Sequence, residues 1–497
     1  MHRIAGWVGA SCRVETTPKE MESRMTRIVI IGGGISGLAT AYAVEQVAAA
    51  RGLKVETIVL EKNGRLGGKI QSIRDEGYLC EWGPNGFLDN KPMTLDLCDR
   101  LGIRGQLARS NDNARKRFIY SESELHRLPE NGPGFLRSNL MSWGGKFRLA
   151  KEFWIPKRED NSDETLAEFG RRRLGPEALD KLIAPMVSGI FAGDPETMSL
   201  KSCFPRIYEL EQTYGGLLRA MLKLAKQKSA ERKSGKQVAS AAGPGGVLTS
   251  FVGGIQELTD AIQAALTGEV RLDAAVTKVA KKSDGFEITL EDGEKLDAEI
   301  VVAAVPAYAL AAMVEEMSIV MSDVLKAILY APMNVVCFGY EQEKIEHDLN
   351  GFGYLIPRQE GCSILGTLWD SSIFPQRAPQ GHVLLRSMMG GAANPTAINL
   401  SDRHVQNYVA ADLHDIMGID KPPDFVRIFR HQNAIPQYTR GHGQRLLAVE
   451  EGARKIPGLF VTGNAFFGIG LNDCVNASNS AAEHVVGYLE RRGLAKK

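Results

Sequence analysis

The feature that most constrains this chain is the run Arg27 to Gly37, RIVIIGGGISG, taken together with Glu61. Four β-branched residues, Ile28 to Ile31, make a buried strand that breaks into glycines at Gly32, Gly34 and Gly37, the G-x-G-x-x-G spacing of a dinucleotide-binding turn. Gly32 permits the tight turn and Gly34 lets backbone approach a pyrophosphate. Gly37 lets the helix Leu38 to Ala50 pack close, with its N-terminal N–H groups facing the phosphates. A second apolar strand, Val55 to Leu60, delivers Glu61, 24 residues beyond Gly37, where a carboxylate accepts hydrogen bonds from an adenosine ribose.

Glycine-rich turns also arise for structural reasons alone. Here strand, turn, helix, strand and terminal acid stand in the order a nucleotide site requires. A carboxylate rather than an arginine at the ribose position disfavours a 2′-phosphate, which leaves FAD or NAD; the motif by itself does not choose.

The totals exclude several classes. Sixty basic residues against 59 acidic give a formal charge of +1, which offers no global attraction to nucleic acid or anionic lipid, and the 44% hydrophobic share is that of a soluble globular chain of two or three domains. Seven scattered cysteines without a C-x-x-C pair, and nine histidines without H-x-x-x-H spacing, indicate neither a disulfide framework nor a metal site, and suit a reducing cytoplasm. Residues 1–24 lack the sustained apolar stretch of a secretory signal and read as a disordered extension. The longest apolar run, Ile300 to Val314, is broken by Pro306 and too short to span a bilayer.

Along the chain, Lys62 to Lys69 is a second glycine turn with basic residues on both sides, and Gly83-Pro84-Asn85-Gly86 is compact enough to let backbone approach a flat ring. Lys116 to Tyr120 with Leu125 and Leu128 reads as a hairpin, in which Arg117, flanked by apolar residues, is a structural ion-pair partner or a carboxylate clamp. From Leu140 to Gln237 the pattern turns helical and basic. Trp143, Phe147 and Trp154 alternate with Lys146, Arg148, Lys151, Lys157 and Arg158, which suits either a membrane surface or packing on the protein itself. Ser162-Asp163 should start a helix that Gly175-Pro176 stops, with Arg171, Arg172 and Arg173 on a solvated face; Ile183 to Asp194 could wall a cavity for a large apolar ligand. Val238 to Gly246 reads as a loop or linker.

The first architecture resumes at Gly253-Gly254 with a helix, a β-meander around Phe286 to Leu290 and a buried strand, Ile300 to Val305. Alternating segments between Met333 and Met389 argue for a mainly antiparallel sheet, and Gly458 to Asn464 is a strand leading into Gly468, Gly470 and a last helix. That helix's N-terminus can meet the far end of the same cofactor.

The glycine turn, EKNGRLGGK from Glu61, the strand ending at Pro306 and the terminal GLFVTGN with Gly470-Leu471 together resemble the flavin-containing amine oxidase superfamily. GPNGF at Gly83, KRFIY at Lys116, SGIFAGDP at Ser188, GFGYLIP at Gly351, LGTLWDSSIFPQRAP at Leu365, MMGG at Met388, AIPQY at Ala434 and GLNDCVNAS at Gly470 are similar, in order, to the oxygen-dependent protoporphyrinogen oxidase family. The resemblance covers nearly everything from Met25 onward.

It implies an α/β fold: a discontinuous Rossmann-like FAD-binding domain (25–112, 246–315 and 436–497), a helical insert at 113–245 and an antiparallel-sheet substrate domain at 316–435. It implies FAD rather than NAD, held by Gly32, Gly33, Gly34, Ile35, Ser36, Gly37, Glu61, Lys62, Arg65, Gly67, Gly83, Pro84, Asn85, Gly86 and Val276, with Gly463, Asn464, Ile469, Gly470 and Leu471 toward the flavin. Arg117 is implied to pair with a substrate propionate. The tetrapyrrole would lie among Phe352, Leu355, Leu368 and Met388, with Asn85, Gly189 and Ala192 on its other side.

The implied reaction is three successive two-electron oxidations of protoporphyrinogen IX with O2 as acceptor, in haem synthesis, with no acid or base catalyst and no metal. Coproporphyrinogen III is the alternative substrate, whose extra propionates would call on Lys91, Arg115 and Lys116 as well. An amine oxidase or desaturase of the same fold, and a non-catalytic tetrapyrrole-binding flavoprotein, are the rival readings. The implied enzyme is cytoplasmic, a monomer or homodimer, either free or resting on the inner face of the cell membrane through its insert.

Overall fold

The computed structural model describes residues 25–233 and 246–493, so the expected N-terminal extension and most of the Val238 to Gly246 linker lie outside the described residues. Its organising element is a five-stranded parallel sheet assembled from three remote parts of the chain. β1 (Thr26–Ile31) leads through α1 (Ile35–Ala50) to β2 (Val55–Leu60). Much later come a hairpin of β3 (Arg117–Ser121) and β4 (Glu124–Arg127), the insert helices α2 (Ala184–Phe191) and α3 (Leu217–Lys233), and β5 (Glu269–Arg271). The expected meander follows as β6 (Val276–Lys282), β7 (Gly285–Leu290) and β8 (Lys295–Ala298), then β9 (Ile300–Ala303). Strands β10 (Tyr330–Glu341), β11 (Gly353–Leu355), β12 (Ile364–Trp369) and β13 (His382–Gly390), helix α4 (Asp402–Met417) and β14 (Phe425–Pro436) build the second unit. The chain returns to the first with β15 (Leu459–Val461) and α5 (Leu471–Arg492).

The parallel sheet has the order β5-β2-β1-β9-β15. β1 and β9 are at its centre and almost wholly buried, so both read as unbroken β-branched runs rather than as alternating ones. Truncating Ile30 to Ala costs about 2–5 kcal/mol, as in other packed cores. One face is covered by α1 and α5, which lie side by side: Ser478 Oγ donates to the carbonyl of Ser36 at 3.0 Å. The meander covers the other, with Phe286, Ile288 and Leu290 turned inward by strand alternation.

The second unit is a seven-stranded sheet, β14-β10-β13-β12-β11-β3-β4. The hairpin β3–β4 falls within 113–245 yet joins this sheet rather than the helices, pairing in parallel with β11. A parallel pair requires a long connection, and here everything from β4 through β10, the insert included, supplies it. α4 covers the sheet's outer face with Val405, Val409, Leu413 and Met417, one side chain per turn.

The insert corrects one expectation. Arg173 is not on a solvated face; it has no exposure, and its guanidinium lies between Glu152 (2.6 Å) and Glu211 (3.1 Å), both equally buried. Arg172 joins them through Glu164 (2.6 Å) and Glu211 (2.8 Å). Glu152 also accepts from Leu217 N and Leu218 N at the start of α3, so the cluster ties helices that are distant in sequence. The helix expected from Ser162 begins instead at Leu166, because Thr165 and Glu168 form a capping box. Gly175 still terminates that stretch. Trp143, Phe147 and Trp154 do not pack on the protein: they are 73%, 67% and 71% exposed. No helix among the described residues is long and apolar enough to cross a membrane.

Candidate active site

At the C-terminal edge of the parallel sheet the chain leaves β1 through Gly32, whose φ of +107° favours glycine, and enters α1 with Gly34 as N-cap. A Cβ on Gly37 would stand 1.8 Å from the carbonyl oxygen of Gly32, so only glycine lets helix and turn approach this closely. Glu61, at the end of β2, accepts from Gly33 N (2.8 Å), Asn63 N (3.0 Å) and Asn63 Nδ2 (2.6 Å). It thereby fixes the glycine turn from the end of β2. Val276 packs with Leu60 and Ala274, and Ala274 N donates to the Glu61 carbonyl, which puts Val276 beside the same corner. The N-terminus of α5, with Gly470 as its N-cap and Leu471 first in the helix, lies along that of α1 and Ser36. Two helix N-termini therefore converge on one crevice at the strand ends, the arrangement that favours an anion.

The residues present fit a dinucleotide there. A Cβ on Gly34 would meet nothing closer than Gly68 at 3.9 Å, and one on Gly463 nothing within 4 Å, so the backbone of the crevice is open on the side a ligand would occupy. Two half-buried cations border it, and neither forms an ion pair among the described residues. Arg65 donates to the carbonyls of Leu66, Gly68 and Ile70 and lies 4.5 Å over the ring of Trp82. Lys69 donates to the carbonyl of Ala434 and sits 5.2 Å from the ring of Tyr330; burial pulls its pKa down to about 8. Unneutralised cations beside two helix N-termini are what a pyrophosphate would complete. Gly67 N donates to Gly33 O at 2.8 Å, which joins the two glycine loops, whereas Lys62 is exposed at the strand end. Arg65 is occupied with organising its own loop.

Strand register gathers the expected substrate residues on one face of the large sheet. Arg117 is opposite Gly353, Gly353 opposite Leu368, and Leu368 opposite Arg386; one step along, Leu355 is opposite Gly366 and Gly366 opposite Met388. Residues directly opposite, and residues two apart on one strand, project to the same side. Arg117, Leu355, Leu368 and Met388 thus share the face turned toward the cofactor unit. α2 closes over it: a Cβ on Gly189 would lie 2.7 Å from Leu355, and Ala192, in a left-handed C-cap at φ +49°, clusters with Met388. Phe352 is pinned by N–H donation to Lys116 O and by Trp369 N donating to its carbonyl, and its ring lies 5.2 Å from the Arg117 guanidinium. Arg117 is exposed at the rim and has no carboxylate partner among the described residues, while the crowding around it lowers its pKa. Of the other candidate clamps, Lys91 pairs with Asp473 at 2.6 Å and Arg115 with Asp112 at 2.9 Å, while Lys116, next to Arg117, has no ion pair among the described residues.

Sequence reasoning missed the charges on and beside this face. Asn85, in the Gly83 to Gly86 turn, donates from Nδ2 to Asp370 Oδ1 at 3.2 Å. Arg386 Nε lies 2.9 Å from Asp370 Oδ2, an ion pair without good hydrogen-bond alignment, and its Nη1 donates to Gly83 O at 3.0 Å. Burial raises the pKa of Asp370, and Arg386 and Arg377 oppose that rise. Arg377 pairs with Glu81, and both are fully buried; Glu81 also accepts from Ser72 Oγ (2.6 Å) and Ile255 N (3.0 Å). The signal was a charge inside an apolar run, Arg386 in HVLLRSMMG and Asp370 after ILGTLW.

The chain matches the family described as "Flavin containing amine oxidoreductase" over residues 35–486. It is 32% identical over 479 residues to the coproporphyrinogen III oxidase of Bacillus subtilis (strain 168), covering 94% of this chain and 100% of that protein. To the chloroplastic protoporphyrinogen oxidase of Nicotiana tabacum it is 32% identical over 478 residues, covering 93% of this chain and 86% of that one. Among solved structures, one from Exiguobacterium sp. 255-15, provisionally named a protoporphyrinogen oxidase, is similar with a TM-score of 0.80 and 27% identity, over 94% of this chain and 99% of that one. Reduced UDP-galactopyranose mutase shares the fold, with a TM-score of 0.71, 15% identity and coverage of 93% and 94%.

Proposed function

From the premise that this chain belongs to the flavin-containing amine oxidoreductases, we propose that it is an FAD-dependent oxidase that converts protoporphyrinogen IX to protoporphyrin IX in three two-electron steps with O2. The observation that carries the reading is the single face shared by Arg117, Leu355, Leu368 and Met388, with one unpaired guanidinium at its rim. A porphyrinogen is a broad apolar disc with carboxylates on its edge, and a lined face with a cation at the margin complements it. When bound, the flavin supplies the hydride acceptor and its own reoxidation by O2. The chain orients the disc: Arg117 takes a propionate, Phe352, Leu355, Leu368 and Met388 offer one apolar surface, and Gly189 and Ala192 on α2, packed against Leu355 and Met388, close its margin and exclude water. Asn85 and the Gly83 turn sit between disc and cofactor, held from below by Asp370 and Arg386. Anaerobic photometry tests it: porphyrinogen should bleach the flavin band of the purified protein, and a band that persists rules the oxidase reading out.

Coproporphyrinogen III is the second reading, favoured by the likeness to the Bacillus subtilis enzyme. Its four propionates call for four cations; the ion pairs of Lys91 and Arg115 leave Arg117 and Lys116 among the named clamps, a number that suits the two propionates of protoporphyrinogen and supports that reading. Initial rates on the two porphyrinogens decide between them.

The same reading includes a lipid contact. Trp143, Phe147 and Trp154 stand out from a basic helical insert beside the exposed Lys151, 5.0 Å from the Phe147 ring, and the exposed Lys157; Lys146, near Trp143, is buried and donates to the carbonyls of Leu136 and Ser138. Aromatic rings flanked by ammonium groups are the composition of a surface that rests on anionic headgroups.

A further inference from the structure

The loop between β15 and α5 forms one wall of the cofactor crevice; Ala465 and Phe466 anchor its middle in the core, while its two ends bend at glycines. It contains Gly463 at φ +125° and Gly468 at φ +106°, conformations favoured by glycine, whose backbone freedom is costly to freeze. Besides that packing, Phe466 N and Phe467 N donate to Gly463 O at 3.1 and 3.3 Å.

Among the described residues, one side chain from outside the loop bridges its two ends. The hydroxyl of Tyr438 donates to Asn464 O at 2.5 Å and accepts from Gly468 N at 3.0 Å, gripping both ends of the bend. Tyr438 is only 4% exposed. Its own position is set by three neighbours. Its backbone carbonyl accepts from Ser199 N of the insert at 2.8 Å; its ring stacks on His442 at 4.1 Å and 14°; and Phe191, the last residue of α2, lies 6.1 Å away. His442 faces it as a neutral ring, since burial pushes that imidazole down to about 4. The residue that shapes the cofactor wall is thus packed against the helix that covers the substrate face.

We propose that Tyr438 is a positioning residue for the cofactor. Its hydroxyl holds Asn464 to Gly468 in the conformation that presents the Gly463 to Leu471 backbone to the flavin, and the packing of α2 and the insert sets where that hydroxyl stands. The inference rests on the reading that this crevice holds FAD.

The test is Tyr438→Phe in the full-length holoenzyme, which keeps the stacked ring and removes both hydrogen bonds. FAD released on serial dilution should show a dissociation constant raised on the order of tenfold. The long-wavelength flavin band should lose its fine structure as the wall loosens, while protoporphyrin IX binding, read by fluorescence quenching, stays within about twofold. An unchanged FAD constant and an unchanged flavin spectrum, accompanied by a lower melting temperature, would mean that Tyr438 serves the fold alone, and would overturn the proposal. If the variant does not fold, hydrogen exchange on the wild-type chain decides: adding FAD to the flavin-stripped full chain should protect 463–470 and 434–442 together, and protection missing from either segment overturns it. A wild-type protein that retains no FAD under any condition means instead that the cofactor reading has failed.

Discussion

Arg386 donates from Nη1 to the carbonyl of Gly83 at 3.0 Å, a contact between residues 303 positions apart that pins the glycine turn of the cofactor unit onto the substrate sheet. The same guanidinium faces the carboxylate of Asp370, which in turn takes the Asn85 amide. One buried charge pair therefore sets the height of that turn over the large sheet.

Removing one member of that pair leaves the other buried and unpaired, at a cost of about 3–5 kcal/mol. Asp370→Asn and Arg386→Met should each lower the denaturation midpoint sharply and reduce turnover. The double variant should lose less than the sum of the two, and strict additivity on chemical denaturation would show that the pair does not act as a unit.

Arg117→Ala should raise KM for the porphyrinogen on the order of tenfold or more with a smaller drop in kcat, because the lost contact binds ground state and transition state alike. Steady-state kinetics check this, and unchanged constants would leave Arg117 a structural arginine. Arg117→Lys should recover only part of the loss, since an ammonium cannot form the two-pronged contact.

His442 gives the fold a defined acid sensitivity. Its folded pKa is lowered from 6.5 to about 4 by burial, so between those pH values the unfolded chain binds a proton that the native protein does not. Stability should therefore fall as pH drops from about 6.5 toward 4, by up to about 3 kcal/mol from this group. His442→Phe, which retains the stacking on Tyr438, should flatten that part of the stability profile; a slope that survives the substitution belongs to other groups.

Replacing Trp143, Phe147 and Trp154 together with Ser should weaken partition onto phosphatidylglycerol vesicles on the order of tenfold or more while leaving the melting temperature within a few degrees, because none of the three is packed in a core. High salt should weaken the wild-type partition as well. Co-sedimentation reads both, and a wild-type chain that never sediments with vesicles removes the lipid contact from the reading.

The parts visible in the sequence are those whose physics is local. The glycine spacing at Gly32 to Gly37, the acid at Glu61, the meander turns and the final strand, loop and helix each depend on a few neighbouring residues, and the structure has them where periodicity and turn chemistry put them. What stayed hidden depends on partners hundreds of residues away. Nothing near Arg173 reveals that Glu152 and Glu211 will surround it, because three arginines in a row also describe an exposed helix face. Asp370 and Arg386 look like interruptions until the strand register places them under Asn85 and Gly83. The hairpin at Arg117 is legible as a hairpin, but its neighbour β11 is chosen by tertiary pairing alone. Tyr438 lies in a short segment whose partners, Asn464 and Gly468, come later in the chain.

The strand order β5-β2-β1-β9-β15 has a consequence for biogenesis. β15 and α5 are the last described elements to leave the ribosome, and until Leu459–Val461 emerges the central strand β9 has a bare edge and the crevice lacks one of its two helix ends. A growing chain can fold its substrate sheet and insert beforehand, but it cannot capture the nucleotide. Capture of the nucleotide thus waits on synthesis of these elements, and a polypeptide that stalls or is clipped before about residue 459 exposes an open strand edge that other chains can join.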